Sequence, residues 1–536
     1  MKPGAERVVD ILHEAGVEVV FGIPSIHNIR LYEALRKRPS IRHILCRQEA
    51  GAAHMADGYA RAAGRPGVVV TSTGPGAGYT VPALLEALGS LSPVVMITTN
   101  IKSSKIGKGI GTLHELDRQD RIFQGITKET FVARSPEDVV PKTRQALRAA
   151  LSGRPGPVYL ELPTDLLDRQ VPGGEHGPDT DSLFAPPGDA SELARAVDLL
   201  NSSSRPVLLV GTGAVRAGMA REVKALAEEL AAPVITTVPA KGILPEDHPL
   251  AFGNAARRGA VRRMIQSADV VLALGTRLRE VDTKRRGITL PRLIHVDWDE
   301  QWIGRNFPPH VALTGDIVAL ARSLLGGVAE GGGGRAGWAE AFGRESAQEQ
   351  EEIRRLREVS YLDALRAAIP RDGVLVADNT ILGYWAEYFY PSHFPGGLVP
   401  AKGSAVIGFA FAAAAGVKLA LPERPVAALI GDGGFLYSAQ ELATCVRHGI
   451  GFPVVVVNDG AYGIIGQLQE GAYGTAFESD LVNPDFCALA RAFGVSSVRV
   501  ESPDELGREV RESIASGEVR LVELRATFPA SPFARY

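Results

Sequence analysis

The chain has 536 residues, 45% of them hydrophobic, with 58 basic against 61 acidic side chains and a formal net charge of −3. That length calls for roughly two to four domains. The balanced charge, without any basic tract, argues against nucleic acid or an anionic membrane as partner, and no apolar run is long enough to cross a bilayer.

The first residues, MKPGAERVVDILHEAG, enter an amphipathic helix directly and lack a signal-peptide core. Three widely spaced cysteines, Cys46, Cys445 and Cys487, suggest neither a disulfide framework nor a zinc site, and point to the cytoplasm. Residues 1–170 alternate strands (Glu18–Phe21, Ile41–Leu45, Gly67–Thr71, Pro93–Ile97, Pro157–Leu162) with helices such as Glu6–Ala15 and Ala50–Arg61. Such alternation predicts a parallel sheet covered on both faces. A Pro/Gly-rich linker, Val171–Gly188, leads to a second unit, 189–326, with strands at Pro206–Val210, Pro233–Thr236, Val270–Leu274 and Leu293–Val296. The stretch Gly326–Gly334 (GGVAEGGGG) reads as a flexible connection, and the charged segment Arg344–Glu358 as a solvated helix. The third unit, 358–536, carries strands at Gly373–Ala377, Pro425–Ile430, Pro453–Val457, Ser496–Val500 and Arg520–Glu523. The expected architecture is α/β: three doubly wound parallel-sheet domains.

Two polar turns in the third unit follow buried-type strands. Gly431-Asp432-Gly433-Gly434 ends the run PVAALI, and Asn458-Asp459-Gly460 ends PVVVV, with the helical segment Ser438–His448 between them. This order brings an Asp and an Asn to one end of a parallel sheet, where open α/β sheets bind ligands. Both are hard oxygen donors suited to Mg²⁺ or Ca²⁺, and the glycines let backbone approach an anion. Each turn taken alone is also an ordinary turn sequence. In the first unit, Glu49 stands in RQEAGAAHMADGYAR, where small residues let a helix start tightly against a strand end. An acidic residue there also favours the helix dipole with no further role.

Together these segments resemble the thiamin diphosphate (ThDP) enzymes, most closely their acetolactate synthase branch. The GDG turn followed by an Asn, the Glu49 segment, Thr73-Gly74-Pro75-Gly76-Ala77, Thr127-Lys128, the central stretches 206–253 and 295–315, and Gly408-Phe409-Ala410 with 412–416 carry the resemblance over almost the whole chain. It implies that Glu49 hydrogen-bonds N1′ of the aminopyrimidine and favours the imino tautomer that takes the proton from thiazolium C2. It also implies that Asp432, Asn458 and the carbonyl of Gly460 hold Mg²⁺ on the diphosphate. Pro24, Thr73, Gly74, Gly431, Gly433, Gly434, Ala461, Tyr462, Gly463 and Ile464 are further implied to bind the cofactor. Ile407 fills the position of the apolar wedge that bends the cofactor. The carbonyl of Ala405, where the family usually has Gly, accepts from the 4′-amino group. The resemblance further implies a small 2-oxo acid substrate, and a homodimer or dimer of dimers with the site between subunits.

The chain departs from that pattern where substrate chemistry is set. Ser25 replaces a Gly in the FGxPG-like turn, Ile26 stands where decarboxylases often carry an acid or serine, and His27 follows, read either as a proton-transfer group or as a helix-start histidine in solvent. In Gly111-Thr112-Leu113-His114-Glu115, His114 replaces the glutamine of acetolactate synthases, and the Leu-His-Glu resembles some guanidino-oxoacid decarboxylases. Thr71 or Ser72 lies where benzoylformate decarboxylases place a histidine. Leu468 replaces the Trp that favours 2-oxobutyrate. Gly275-Thr276-Arg277-Leu278 resembles a flavin-contacting segment, but Gly253–Arg257 (GNAAR) does not complete the pattern, so FAD is possible and its absence expected. The expected activity is decarboxylation of a 2-oxo acid, releasing an aldehyde or joining a second carbonyl. A biosynthetic acetolactate synthase is the alternative. A non-catalytic ThDP- or nucleotide-binding regulatory protein, and an NAD dehydrogenase that Val210–Ala214 (VGTGA) supports poorly, are the readings from other classes.

Overall fold

A computed structural model describes residues 1–172, 189–254, 259–283, 287–329, 335, 337–528 and 532. Most of the linker 171–188, the end of the glycine run 326–334 and part of the GNAAR segment lie outside the described residues. The chain builds three six-stranded sheets, every pairing parallel. The first runs, in space, Arg42–Leu45, Val19–Gly22, Gly67–Thr71, Val94–Asn100, Val158–Pro163, Glu129–Val132. The third runs Leu398–Pro400, Val374–Ala377, Val426–Gly431, Pro453–Asn458, Arg520–Arg525, Ser496–Val500. Numbered within each domain, both follow the order 2-1-3-4-6-5, so the terminal domains share one topology. The central sheet follows 3-2-1-4-5-6, from Ala251–Asn254 through Val234–Thr236, Pro206–Val210, Val270–Leu274 and Arg292–Asp297 to Val311–Thr314. A two-stranded antiparallel pairing of Lys2–Pro3 with Gln170–Val171 closes the first domain.

The strands with continuous apolar runs fall where the sequence places them. Four others, Glu129–Val132, Ala251–Asn254, Val311–Thr314 and Leu398–Pro400, all lie at sheet edges. Three sequence expectations need correction. The segment Ser438–His448 is a 3₁₀ turn, Ala439–Glu441, followed by a helix from Leu442 to His448. Gly326 and Gly327 belong to the helix Ile317–Gly327. The charged helix spans Trp338–Arg354 and is not simply solvated: Trp338 and Phe342 pack on the central core, and Ile353 on the third. Among the described residues no helix is long and apolar enough to cross a membrane, and all three cysteines are buried free thiols.

The terminal domains meet through equivalent helices, Glu49–Ala63 and Phe409–Ala420, each following the second strand of its sheet. Neither has a solvent-facing polar stripe: Gly51–Ala60 and Phe409–Val417 are buried throughout, as expected of helices enclosed on every side. Their Ala and Gly content allows near backbone contact. A Cβ on Gly58 would lie 2.1 Å from the Ala413 carbonyl oxygen, and one on Gly416 would lie 1.9 Å from that of Met55. Because backbone cannot swing aside as a side chain can, Gly416→Ala is expected to cost about 1–3 kcal/mol of stability. Urea unfolding would register this as a lower midpoint, and an unchanged midpoint would contradict the close packing.

Candidate active site

Glu49 is the first residue of its helix, after the extended Gln48. The loop before it is held from the other terminal domain. Glu441 accepts the backbone N–H of Arg47 at 3.2 Å and of Gln48 at 3.0 Å, and also the Thr444 hydroxyl. The mirror contact runs the other way. Glu86, in the first domain, accepts the N–H groups of Gly403 and Ser404 at 2.8 Å and of Ala405 at 3.2 Å. Arg61 pairs with both Glu86 and Asp57 in the same buried cluster. Burial raises the Glu86 carboxyl, and Arg61 with the backbone donors more than offsets it, leaving it below its ordinary value. For Glu441 the Thr444 hydroxyl, the two backbone donors and the nearby Arg47 do not offset burial, which leaves it raised. Ala405 is held at φ +59°, a left-handed conformation that glycine adopts freely.

Against Glu49 lies the turn that follows the strand Gly67–Thr71. A Cβ on Gly76 would fall 3.0 Å from the Glu49 carboxylate. Burial raises the Glu49 carboxyl above its ordinary range. Gly74, at φ +62°, donates its N–H to Gln119 at 2.6 Å and lies under the carbonyl of His114. The Thr73 hydroxyl is engaged with Thr99 at 3.0 Å inside the sheet, so only its backbone is left for a ligand. Pro24 is exposed in a turn fastened by Asn28, which accepts the Ser25 N–H and donates to the Ile23 carbonyl. His27 is not in solvent: it is buried, with its ring 5.0 Å from that of His114. Burial, then the nearness of His114, lowers its pKa, while a bond to the Leu113 carbonyl opposes them. Nδ1 of each ring lacks a partner among the described residues.

At the carboxyl edge of the third sheet, Gly431 pairs with Val457, so Asp432 and Asn458 stand side by side. Asp432 Oδ1 accepts the Gly433 N–H, and Oδ2 accepts the Gly460 N–H at 2.9 Å. Burial raises Asp432 despite these donors, and burial with Asp432 alongside pushes Asp459 up to about 6. Asn458 donates its amide to the buried Glu523 at 2.7 Å, which turns its oxygen toward Asp432. A Cβ on Gly433 would fall 2.6 Å from the Tyr462 ring, so a larger residue in the turn would have to push that ring aside. Ala461 bridges to Asp480, and Gly463 and Ile464 open the helix Gly463–Tyr473. Gly434 lies beneath Gly408, and Gly431 beside Thr380. Ile407 is half-buried at the start of the facing helix, next to Val406, whose carbonyl accepts from Asn379.

One cavity of about 690 Å³ is lined by Gln48, Glu49 and Tyr79 from the first domain and by Gly433, Tyr437 and Tyr462 from the third. A single chain thus brings together the Glu49 end of one terminal domain and the Gly433 turn of the other. His27 opens instead on a second cavity of about 400 Å³, with Arg30, Lys102 and Thr112. Hard oxygens from Asp432 and Asn458 suit a divalent cation. Glycine-lined backbone beside them suits a diphosphate, and the half-buried carboxyl of Glu49 suits a ring nitrogen. Glu86, Glu441, Glu523 and Asn483 carry no motif of their own. The one sequence signal for Glu523 is a lone charge inside the apolar strand Arg520–Arg525.

Residues 2–121 match the family "Thiamine pyrophosphate enzyme, N-terminal TPP binding domain", 193–324 its central domain and 378–524 its C-terminal TPP binding domain. The chain is 36% identical over 543 residues to a Pseudomonas aeruginosa protein named "Probable 2-ketoarginine decarboxylase AruI", spanning 97% of this chain and 93% of that one. It is 32% identical over 548 residues to a "Probable acetolactate synthase large subunit" of Methanocaldococcus jannaschii, spanning 97% and 91%. It is 32% identical over 560 residues to an acetolactate synthase large subunit of Mycobacterium tuberculosis, spanning 97% and 87%.

The raised pKa of Glu49 has a consequence for stability. An acid whose pKa is higher in the folded chain opposes folding once pH rises above its unfolded value, and fully above its folded one. Glu49→Gln is therefore expected to unfold at a higher urea concentration than wild type at pH 8, with the gap closing on acidification through the ordinary carboxylate range. A variant less stable at pH 8 would contradict burial of the carboxylate.

Proposed function

The chain belongs to the thiamine pyrophosphate enzyme family, and from that premise we propose that it uses ThDP and Mg²⁺ to decarboxylate a 2-oxo acid and release an aldehyde. The observation that carries this is a partly buried Glu49, its carboxyl raised by burial, on the same cavity as Gly433 of the Gly431–Gly434 turn. A protein that only bound the cofactor would not need that carboxyl. Asp432, Asn458 and the Gly460 carbonyl hold the cation, and the Gly431–Gly434 turn with residues 461–464 receives the diphosphate. Ala405, through its carbonyl, and Ile407 orient the pyrimidine, on the loop that Glu86 pins. Bound ThDP supplies an electron sink for the pair left behind when the carboxylate departs as CO₂. Glu49 holds and passes a proton at N1′ of the pyrimidine, and burial raises its carboxyl above the ordinary range, which favours holding that proton.

The His27–His114 pair, with Nδ1 atoms free among the described residues, is the candidate proton source for product release. The Leu-His-Glu at 113–115 and the relative named as a 2-ketoarginine decarboxylase make 2-ketoarginine the first substrate to try. Carboligation is the second reading, favoured by the relatives named acetolactate synthase. Two copies assemble as a dimer in this reading: Tyr79, Leu436, Tyr437 and Val482, exposed around the cavity, form the apolar rim a second copy would cover. Buried free thiols support a cytoplasmic location.

The test is CO₂ release from a panel of 2-oxo acids including 2-ketoarginine and pyruvate, with products analysed for aldehyde and acyloin. Glu49→Gln is expected to lower the rate by about 10²–10⁴-fold while still binding ThDP. Full activity in that variant, or no CO₂ from any acid with wild type, would sink the proposal. Removal of divalent metal by a chelator is expected to abolish ThDP binding, and binding that survives it would exclude the Asp432–Asn458 role.

A further inference from the structure

Resting on the reading that Asp432, Asn458 and Gly460 hold the divalent cation, we infer that Asn483 sets the affinity of that site, because its side-chain amide competes with the cation for the same oxygens. All three assigned ligand groups accept N–H donors from one short segment, 481–483. The Asn483 amide nitrogen lies 2.7 Å from Asp432 Oδ2 and 3.1 Å from Asn458 Oδ1. The Leu481 N–H donates to the Gly460 carbonyl oxygen at 2.7 Å.

The orientation of the Asn483 amide follows from its neighbours. Glu523 is 1% exposed, held at 2.9 Å by Arg499, and takes the Asn458 amide hydrogen, so Asn458 presents its oxygen. The Asp432 carboxylate only accepts. Asn483 therefore faces both with its NH₂, a partial positive charge placed between two oxygens. An oxygen ligand of Mg²⁺ lies at about 2.0–2.1 Å, so the cation and the amide nitrogen cannot share this space. The chain leading to this segment is largely exposed, although Ser479 is buried and accepts the Tyr462 N–H. The helix Gly463–Tyr473 has no buried residue, and Tyr473, Phe477 and Val482 are 82%, 72% and 103% exposed. Cation binding draws Asn483 out of the site and leaves Glu523 holding Asn458 in place. Asn483 is thus a positioning residue that acts on the metal through two of its ligands.

The test is calorimetric titration of Mg²⁺ into full-length protein with ThDP in excess, comparing wild type, Asn483→Ala and Asp432→Ala. Removing the competing amide is expected to tighten Mg²⁺ binding on the order of tenfold in Asn483→Ala. Equal or weaker binding by Asn483→Ala, with wild type binding normally, would overturn the inference; weaker binding would make Asn483 a ligand. No binding by wild type, or undiminished binding by Asp432→Ala, would instead remove the metal-site reading on which the inference rests.

Discussion

Glu86 reaches from the first domain to the backbone N–H groups of Gly403, Ser404 and Ala405, and Glu441 reaches back from the third to those of Arg47 and Gln48. Both carboxylates are buried, and a buried charge is tolerated only where donors or a counter-charge surround it. Each loop therefore has one low-energy position relative to the opposite domain. Those two loops precede the residues expected to meet the cofactor's pyrimidine, Glu49 on one side and Ile407 on the other. The helices that follow them, Glu49–Ala63 and Phe409–Ala420, pack so closely that glycine is required at the crossing. Polar specificity and steric fit act on the same two chain segments.

The shared strand order of the terminal domains makes this exchange a near-symmetric one. In each domain the helix after the second strand forms the contact, and an acid after the third strand anchors the other domain's loop. The chemistry on the two sides is not symmetric. The first domain offers a carboxyl that burial raises, and the third offers an Asp and an Asn at a strand edge. The two anchoring carboxylates also differ electrically: the buried Arg61 pairs with Glu86, which stays lowered, whereas the donors and the nearby Arg47 do not offset burial of Glu441, which stays raised.

Much of this was legible in the sequence, for reasons that also explain the rest. Central strands such as Pro453–Asn458 are covered on both faces and so read as unbroken apolar runs. Edge strands such as Glu129–Val132, half-buried on average, carry no such run. Glu49, Asp432 and Asn458 stood out because glycine and small residues surround them at recognisable spacing. Glu86, Glu441 and Glu523 did not, because each is a single acid whose partner is set by tertiary structure; Glu86 and Gly403 are 317 positions apart. His27 could be read as solvated because its burial depends on the loop that carries His114. Asn483 belongs to an exposed segment whose local sequence gives no sign that it folds back onto Asp432.

The central claim is that one cofactor spans both terminal domains, with its cation at the third and its pyrimidine at the first. A crystal structure with ThDP and Mn²⁺, read by anomalous scattering, tests it most directly. The account predicts a Mn²⁺ peak bounded by Asp432, Asn458 and the Gly460 carbonyl, with N1′ of the pyrimidine in hydrogen-bond reach of a Glu49 carboxyl. A peak elsewhere, for instance in the acidic cluster of Asp485, Cys487 and Glu523, or a pyrimidine out of reach of any Glu49, would contradict it.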